Sequence, residues 1–223
     1  LCLCALVASA VAVPADAAVT DLRAHFVNRG FGPQSETDQW TIRHGGPNGT
    51  LLGSAGTYFA GPYQHATPIF GPILNIGDYA GWGHGATFDG IFIHSGPSVP
   101  LVATFRADEV TVLSGFNVRA EMVLNGISSN GMGFEVVTDI GGVLQSRGTG
   151  QWTYALTASE MPVDFGGETT LAIGDKVHVI FNDLGSFLYD HGNINLTPLV
   201  VPAPGVGLVA GGLMAMAWRR RRR

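Results

Sequence analysis

Lys176-Val177-His178-Val179-Ile180-Phe181 alternates strictly, and Val177, Val179 and Phe181 share one side of an extended chain. Side chains of a strand point to opposite faces with a period of two, so this hexapeptide reads as a strand with one buried face. Gly174-Asp175 before it is a turn, and Leu171-Ala172-Ile173 before that is apolar. The same grammar repeats in both directions. Leu101 to Phe105 reads as a strand, as does Phe116 to Leu124, closed by the turn dipeptide Asn125-Gly126. Gly133 to Val137 follows, and Asp139-Ile140-Gly141-Gly142 turns into Val143-Leu144-Gln145. Trp152 to Leu156 and Asn193 to Thr197 complete the set, with Ile194 and Leu196 on the buried side by alternation. No stretch between residues 19 and 198 has the period of an amphipathic helix. Short alternating runs punctuated by Gly, Asn, Asp and Ser predict an all-β sandwich.

Residues 44–100 read differently. They are dense in Gly and Pro, and we expect long connections around short strands such as Gly90 to His94. Residues 19–198 make one domain's worth of chain, enough for a core without disulfides. The chain's only two cysteines, Cys2 and Cys4, lie near its start. The formal net charge is −5. Five of the 12 basic residues are Arg219 to Arg223, so residues 18–218 hold 7 basic against 16 acidic groups, a net of −9. Such a surface repels nucleic acid.

The two ends carry a different signal. Leu1 to Val13 is apolar and small-residue rich, and Pro14-Ala15-Asp16-Ala17-Ala18 follows. This predicts a signal peptide over 1–18, lacking its first residues, with cleavage after an Ala-x-Ala pattern. Near the other end, Val201-Pro202-Ala203-Pro204 leads into an apolar run from Gly205 to Trp218 and then Arg219, Arg220, Arg221, Arg222 and Arg223. About 20 residues span a bilayer core, and counting from Leu199 reaches that length. Trp218 suits the headgroup region, and the arginines act as a cytoplasmic stop. Residues 199–223 thus predict a transmembrane anchor, with everything before it outside.

Pro202-Ala203-Pro204, the Gly/Ala/Leu-rich span and the arginine cluster resemble the PEP-CTERM sorting signal of bacterial exosortase substrates. Ala203 stands where that family usually has Glu. The resemblance implies that a membrane cysteine transpeptidase of the exosortase type cuts near Pro202–Pro204. It also implies transient anchoring in the inner membrane, then release or display at the cell surface. A second resemblance spans about residues 21–198. Phe88 to Gly96, Val102 to Phe105, Val123 to Gly126, Leu171 to Val177 and Tyr189-Asp190 are similar in order to jelly-roll β-sandwiches. Those domains have the architecture of galactose-binding-like carbohydrate-binding modules. That resemblance implies a structural calcium near Asp190, since calcium takes six to eight oxygen ligands. A turn aspartate bonding its own backbone is the competing reading.

Trp82, between Gly81 and Gly83, is the candidate platform for stacking on a sugar ring. Trp40 and Trp152 lie in strand-like runs and read as core. The seven histidines have no metal-ligand spacing. Asp89, Glu135, Asp164 and Glu168 are the carboxylates to weigh for glycoside hydrolysis, with solvated surface acid the default for each. No nucleophile elbow, P-loop or dinucleotide fingerprint occurs in context. The expectation is an exported, non-catalytic envelope or matrix protein that contacts exopolysaccharide. The alternatives are a glycan hydrolase on the same scaffold and a purely structural surface protein.

Overall fold

The computed structural model describes residues 19–29, 34–52, 56–58, 61–65, 79–84, 89–94, 100–122, 131–152, 159–182, 184 and 191–202. The predicted signal peptide over 1–18 lies outside them. So do Asp190, Ala203, Pro204 and Arg219 to Arg223.

Among the described residues, one short helix, α1 (Leu22–Arg29), precedes thirteen strands. These are β1 (Trp40–His44), β2 (Thr50–Leu51), β3 (Gly56–Tyr58), β4 (Gly61–His65), β5 (Tyr79–His84), β6 (Asp89–His94) and β7 (Leu101–Arg106). Then come β8 (Thr111–Met122), β9 (Met132–Ile140), β10 (Val143–Trp152), β11 (Ser159–Leu171), β12 (Lys176–Asn182) and β13 (His191–Val200). They form a six-stranded sheet in the order β10-β9-β12-β7-β1-β2 and a seven-stranded sheet in the order β11-β8-β13-β6-β5-β4-β3. Every neighbouring pair runs antiparallel. From β6 onward, the eight strands taken as one to eight lie in the orders 1-8-3-6 and 2-7-4-5.

The alternation that predicts β12 is realised. Val177, Val179 and Phe181 are fully buried and register against Phe105, Ala103 and Leu101 of β7. Ile194 and Leu196 of β13 face the same core from the other sheet, beside Ala120 and Val118 of β8. Trp40 joins the layers: its ring lies 5.4 Å from Phe105 and 5.9 Å from Phe116, both edge-on. Its indole N–H donates to the Thr20 carbonyl at 2.8 Å, so the polar end of a buried ring is satisfied.

The helix departs from the sequence expectation. Asp21 caps it, its Oδ1 accepting from the Ala24 amide at 2.6 Å. Leu22 and Phe26, four residues apart, enter the common core. Eight residues give only two such positions, too few for a periodic signal.

Two further segments escaped the reading. Ser159 to Leu171 forms the 13-residue edge strand β11. Its register shifts between Asp164 and Thr169, where Gly166 and Gly167 take φ of 73° and 148°. These glycines form a bulge inside the strand. β10 carries its own shift between Ser146 and Gly148. The intervening Arg147 lies 5.5 Å over the Phe165 ring, so the two bulged edges close one side of the sandwich. Within residues 44–100 the described residues form β2 to β6, of which β6 is the short strand expected at Gly90 to His94 and β2 to β5 were not foreseen.

Among the described residues no helix is long and apolar enough to cross a membrane. Leu199 and Val200, counted into the anchor from sequence, are the last residues of β13. The Val201 amide still bonds the Val112 carbonyl at 2.8 Å.

Candidate functional site

The outer face of the six-stranded sheet holds a row of polar side chains that the strand register aligns. Thr41 of β1 pairs with Thr104 of β7, Thr104 with His178 of β12, and His178 with Val137 of β9. Alternation assigns this face to solvent, yet Thr41, Arg43, Thr104 and His178 are 2%, 5%, 1% and 0% exposed.

His178 is the centre of the row. Its Nδ1 lies 2.9 Å from the Thr104 hydroxyl. Its Nε2 faces Oδ2 of Asp139 at 3.7 Å. The carboxylate favours the ring proton on Nε2, which leaves Nδ1 to accept from the Thr104 hydroxyl. Burial lowers the His178 pKa to about 4. Asp139 pulls it back up, while Lys176 and Arg43 push it further down. The ring is therefore neutral at ordinary pH. Arg43 is held by Glu36, its Nη1 donating to Oε1 at 2.9 Å and its Nη2 to Oε2. The Arg43 bond holds the Glu36 carboxyl below the usual carboxylate range.

Thr104, His178 and Asp139 have the order of a nucleophile, a base and an orienting acid. Their burial decides against that use, because a hydroxyl 1% exposed meets no substrate carbonyl. The Thr104–His178 bond works instead as a buried polar link between β7 and β12, with Asp139 of β9 facing it at 3.7 Å. Sequence reading missed it because a histidine on the outer side of an amphipathic strand carries no local sign of being covered.

The residues singled out from sequence are scattered. Trp82 is in β5 in register with Ile91, a core residue of β6, and its side chain lies outside the described residues. Pro202 is exposed and lies two residues past the end of β13. Trp40 and Trp152 are core, 0% and 5% exposed. Glu135 registers against Ile180, whereas Asp164 and Glu168 flank the β11 bulge. Among the described residues, no three His, Cys, Asp or Glu side chains converge as a metal site.

No family model matches the chain, and no curated relative matches it. Among solved structures, a GH26-CBM35 beta-(1,4)-mannanase of Podospora anserina is similar over 75% of this chain, at 15% identity and a TM-score of 0.30. The chain spans 29% of that protein's length. A likeness at this level carries no argument about activity or ligand.

Proposed function

We propose that this is an exported, non-catalytic β-sandwich protein of the bacterial cell envelope or matrix, sorted by an exosortase-type transpeptidase. The observation that carries it is where the sandwich stops. β13 ends at Val200, the Val201 amide still bonds the Val112 carbonyl, and Pro202 stands exposed. Among the described residues, the Pro202-Ala203-Pro204 signature therefore begins one residue after the last backbone bond that joins this strand to the sandwich. A protease-like sorting enzyme needs an accessible segment outside the folded unit, and the exposure of Pro202 just beyond β13 supports that reading.

The strand orders 1-8-3-6 and 2-7-4-5 support reading the domain as a jelly roll, two Greek keys wound into one sandwich. That scaffold suits a role in contacting exopolysaccharide, with Trp82 as stacking platform and Asp190 as the residue that would help hold a structural calcium. Burial of Thr104 and His178 favours a scaffold over a hydrolase.

Expression of the full chain in an exosortase-bearing bacterium, with mass spectrometry of the mature C-terminus, tests the sorting reading. We expect chains ending near Pro202–Pro204, and retention of the arginines when Pro202 and Pro204 are both changed to Ala. Mature chains that keep Arg219–Arg223 would overturn it. The secreted product is then tested on polysaccharides with and without calcium. Retention without new reducing ends supports binding, and release of reducing ends installs the hydrolase.

A further inference from the structure

Among the described residues eight large hydrophobic side chains are exposed, and six of them gather at one end of the sandwich. Val110 (66% exposed) is in the β7–β8 loop, Val143 (69%) and Leu144 (50%) follow the β9–β10 turn, and Ile173 (66%) is in the β11–β12 turn. Leu199 (37%) and Val200 (42%) end β13. The register places these elements together: Arg106 is opposite Lys176, Lys176 opposite Asp139, Leu171 opposite Thr111, and Val200 opposite Leu113.

The loops are braced to one another. The Ala107 amide donates to the Asp175 carbonyl at 2.9 Å, and the Gly174 amide to the Ala107 carbonyl at 2.8 Å. The Asp175 carboxylate accepts from the Gly141 amide at 3.0 Å and the Ala172 amide at 2.8 Å. Arg106 bonds Asp108 at 2.5 Å at the same end. A platform of exposed aliphatics on braced loops is a surface built to be covered.

The chain leaves the sandwich from this same end. Three residues, Pro202 to Pro204, separate β13 and Val201 from the apolar run that opens at Gly205. At about 3.5 Å per residue they reach about 10 Å. We infer that the pole bearing Val110, Val143, Leu144 and Ile173 seats on the outer leaflet of a lipid bilayer while the C-terminal segment spans it. This rests on the anchor reading proposed above. Aliphatic side chains enter the headgroup boundary, and the short tether holds the domain upright against it.

The test uses the full chain with Cys2 and Cys4 replaced by Ser, and one new cysteine carrying an environment-sensitive fluorophore. The positions are Val143→Cys, Ile173→Cys and, beyond the far end of β12, Leu184→Cys. Phosphatidylcholine vesicles bearing quencher-labelled acyl chains supply the surface. We expect the chain to float with the vesicles, with quenching at 143 and 173 about twofold or more above that at 184. Flotation with equal quenching at all three overturns this inference and leaves the anchor standing. Absence of flotation removes the anchor reading, and this inference with it. Shielding of the 173 label before lipid is added also overturns it. That result assigns the pole to a second copy if it scales with concentration, and to the chain's own tail if it does not.

Discussion

Nε2 of His178 stands 3.7 Å from Oδ2 of Asp139, and the ring is wholly enclosed with Nδ1 on the Thr104 hydroxyl. A neutral ring in that setting ties folding to pH. The unfolded chain binds a proton near pH 6.5, and the folded chain does so only near pH 4. Above pH 6.5 both states are neutral and this group adds no slope. As pH falls from 6.5 to 4 the unfolded state gains a proton the folded state refuses, so stability falls by on the order of 3 kcal/mol. Urea midpoints from pH 8 to pH 4 measure this. In His178→Gln the part of the decline in that window should disappear, and an unchanged slope would place the titration elsewhere.

Trp40 links the two layers through Phe105 and Phe116 and the N-terminal segment through Thr20. Trp40→Ala should cost about 3–5 kcal/mol by leaving a cavity at that junction. Trp40→Phe keeps the ring contacts and loses the bond to Thr20, so it should cost less. Chemical denaturation of the two variants gives the ranking.

Gly150 of β10 faces Phe134 of β9 across the edge of the sheet. A methyl group on Gly150 would come within 2.4 Å of the Phe134 ring. Gly150→Ala should therefore lose about 1–3 kcal/mol through overpacking. Adding Phe134→Leu to Gly150→Ala should cost less than Phe134→Leu costs alone, and a double-mutant cycle reads that coupling. Additive losses would show that the ring moves away freely.

Asp175 holds two loops through backbone amides of Gly141 and Ala172. Asp175→Ala removes both acceptors and should lower stability by about 1–3 kcal/mol. Faster amide exchange at Gly141 and Ala172 than at β12 would locate the loss in the loops. Uniform acceleration would mean that the whole domain depends on them.

Truncation after Pro202 should preserve a cooperative unfolding transition, because it keeps all of β13 and the Val201 to Val112 bond. Truncation after Pro198 removes the final residues of a strand that pairs with β8 and should lower the midpoint clearly. Equal midpoints would show that the end of β13 contributes little.

Much of the strand plan is written in local alternation. β7, β9, β12 and β13 fall where the Val, Ile and Phe spacing places them, and Val177, Val179, Ile194 and Leu196 are core as that spacing requires. Gly141 and Gly142, with φ of 58° and 84°, make the two-residue turn from β9 to β10. β11 was invisible because it is an edge strand, mostly exposed, and broken by Gly166-Gly167. α1 was invisible because two buried residues do not make a period. The candidate chemistry was less legible than the fold. His178 looks solvent-facing in sequence and is buried, whereas Trp82 sits in a strand rather than a loop.

By itself the amino-acid sequence determined the all-β class, the inward faces of the long strands, the turn glycines and the apolar, arginine-ended character of the last segment. Those are properties of neighbouring residues, and a period of two or a positive φ acts within a few positions. Only the tertiary structure decided which strands pair, that an outer sheet face encloses His178, and that Val110, Val143 and Ile173 meet at the pole where the chain departs. These depend on contacts between residues far apart in the chain, whose free energy appears only once the sheets have closed on each other.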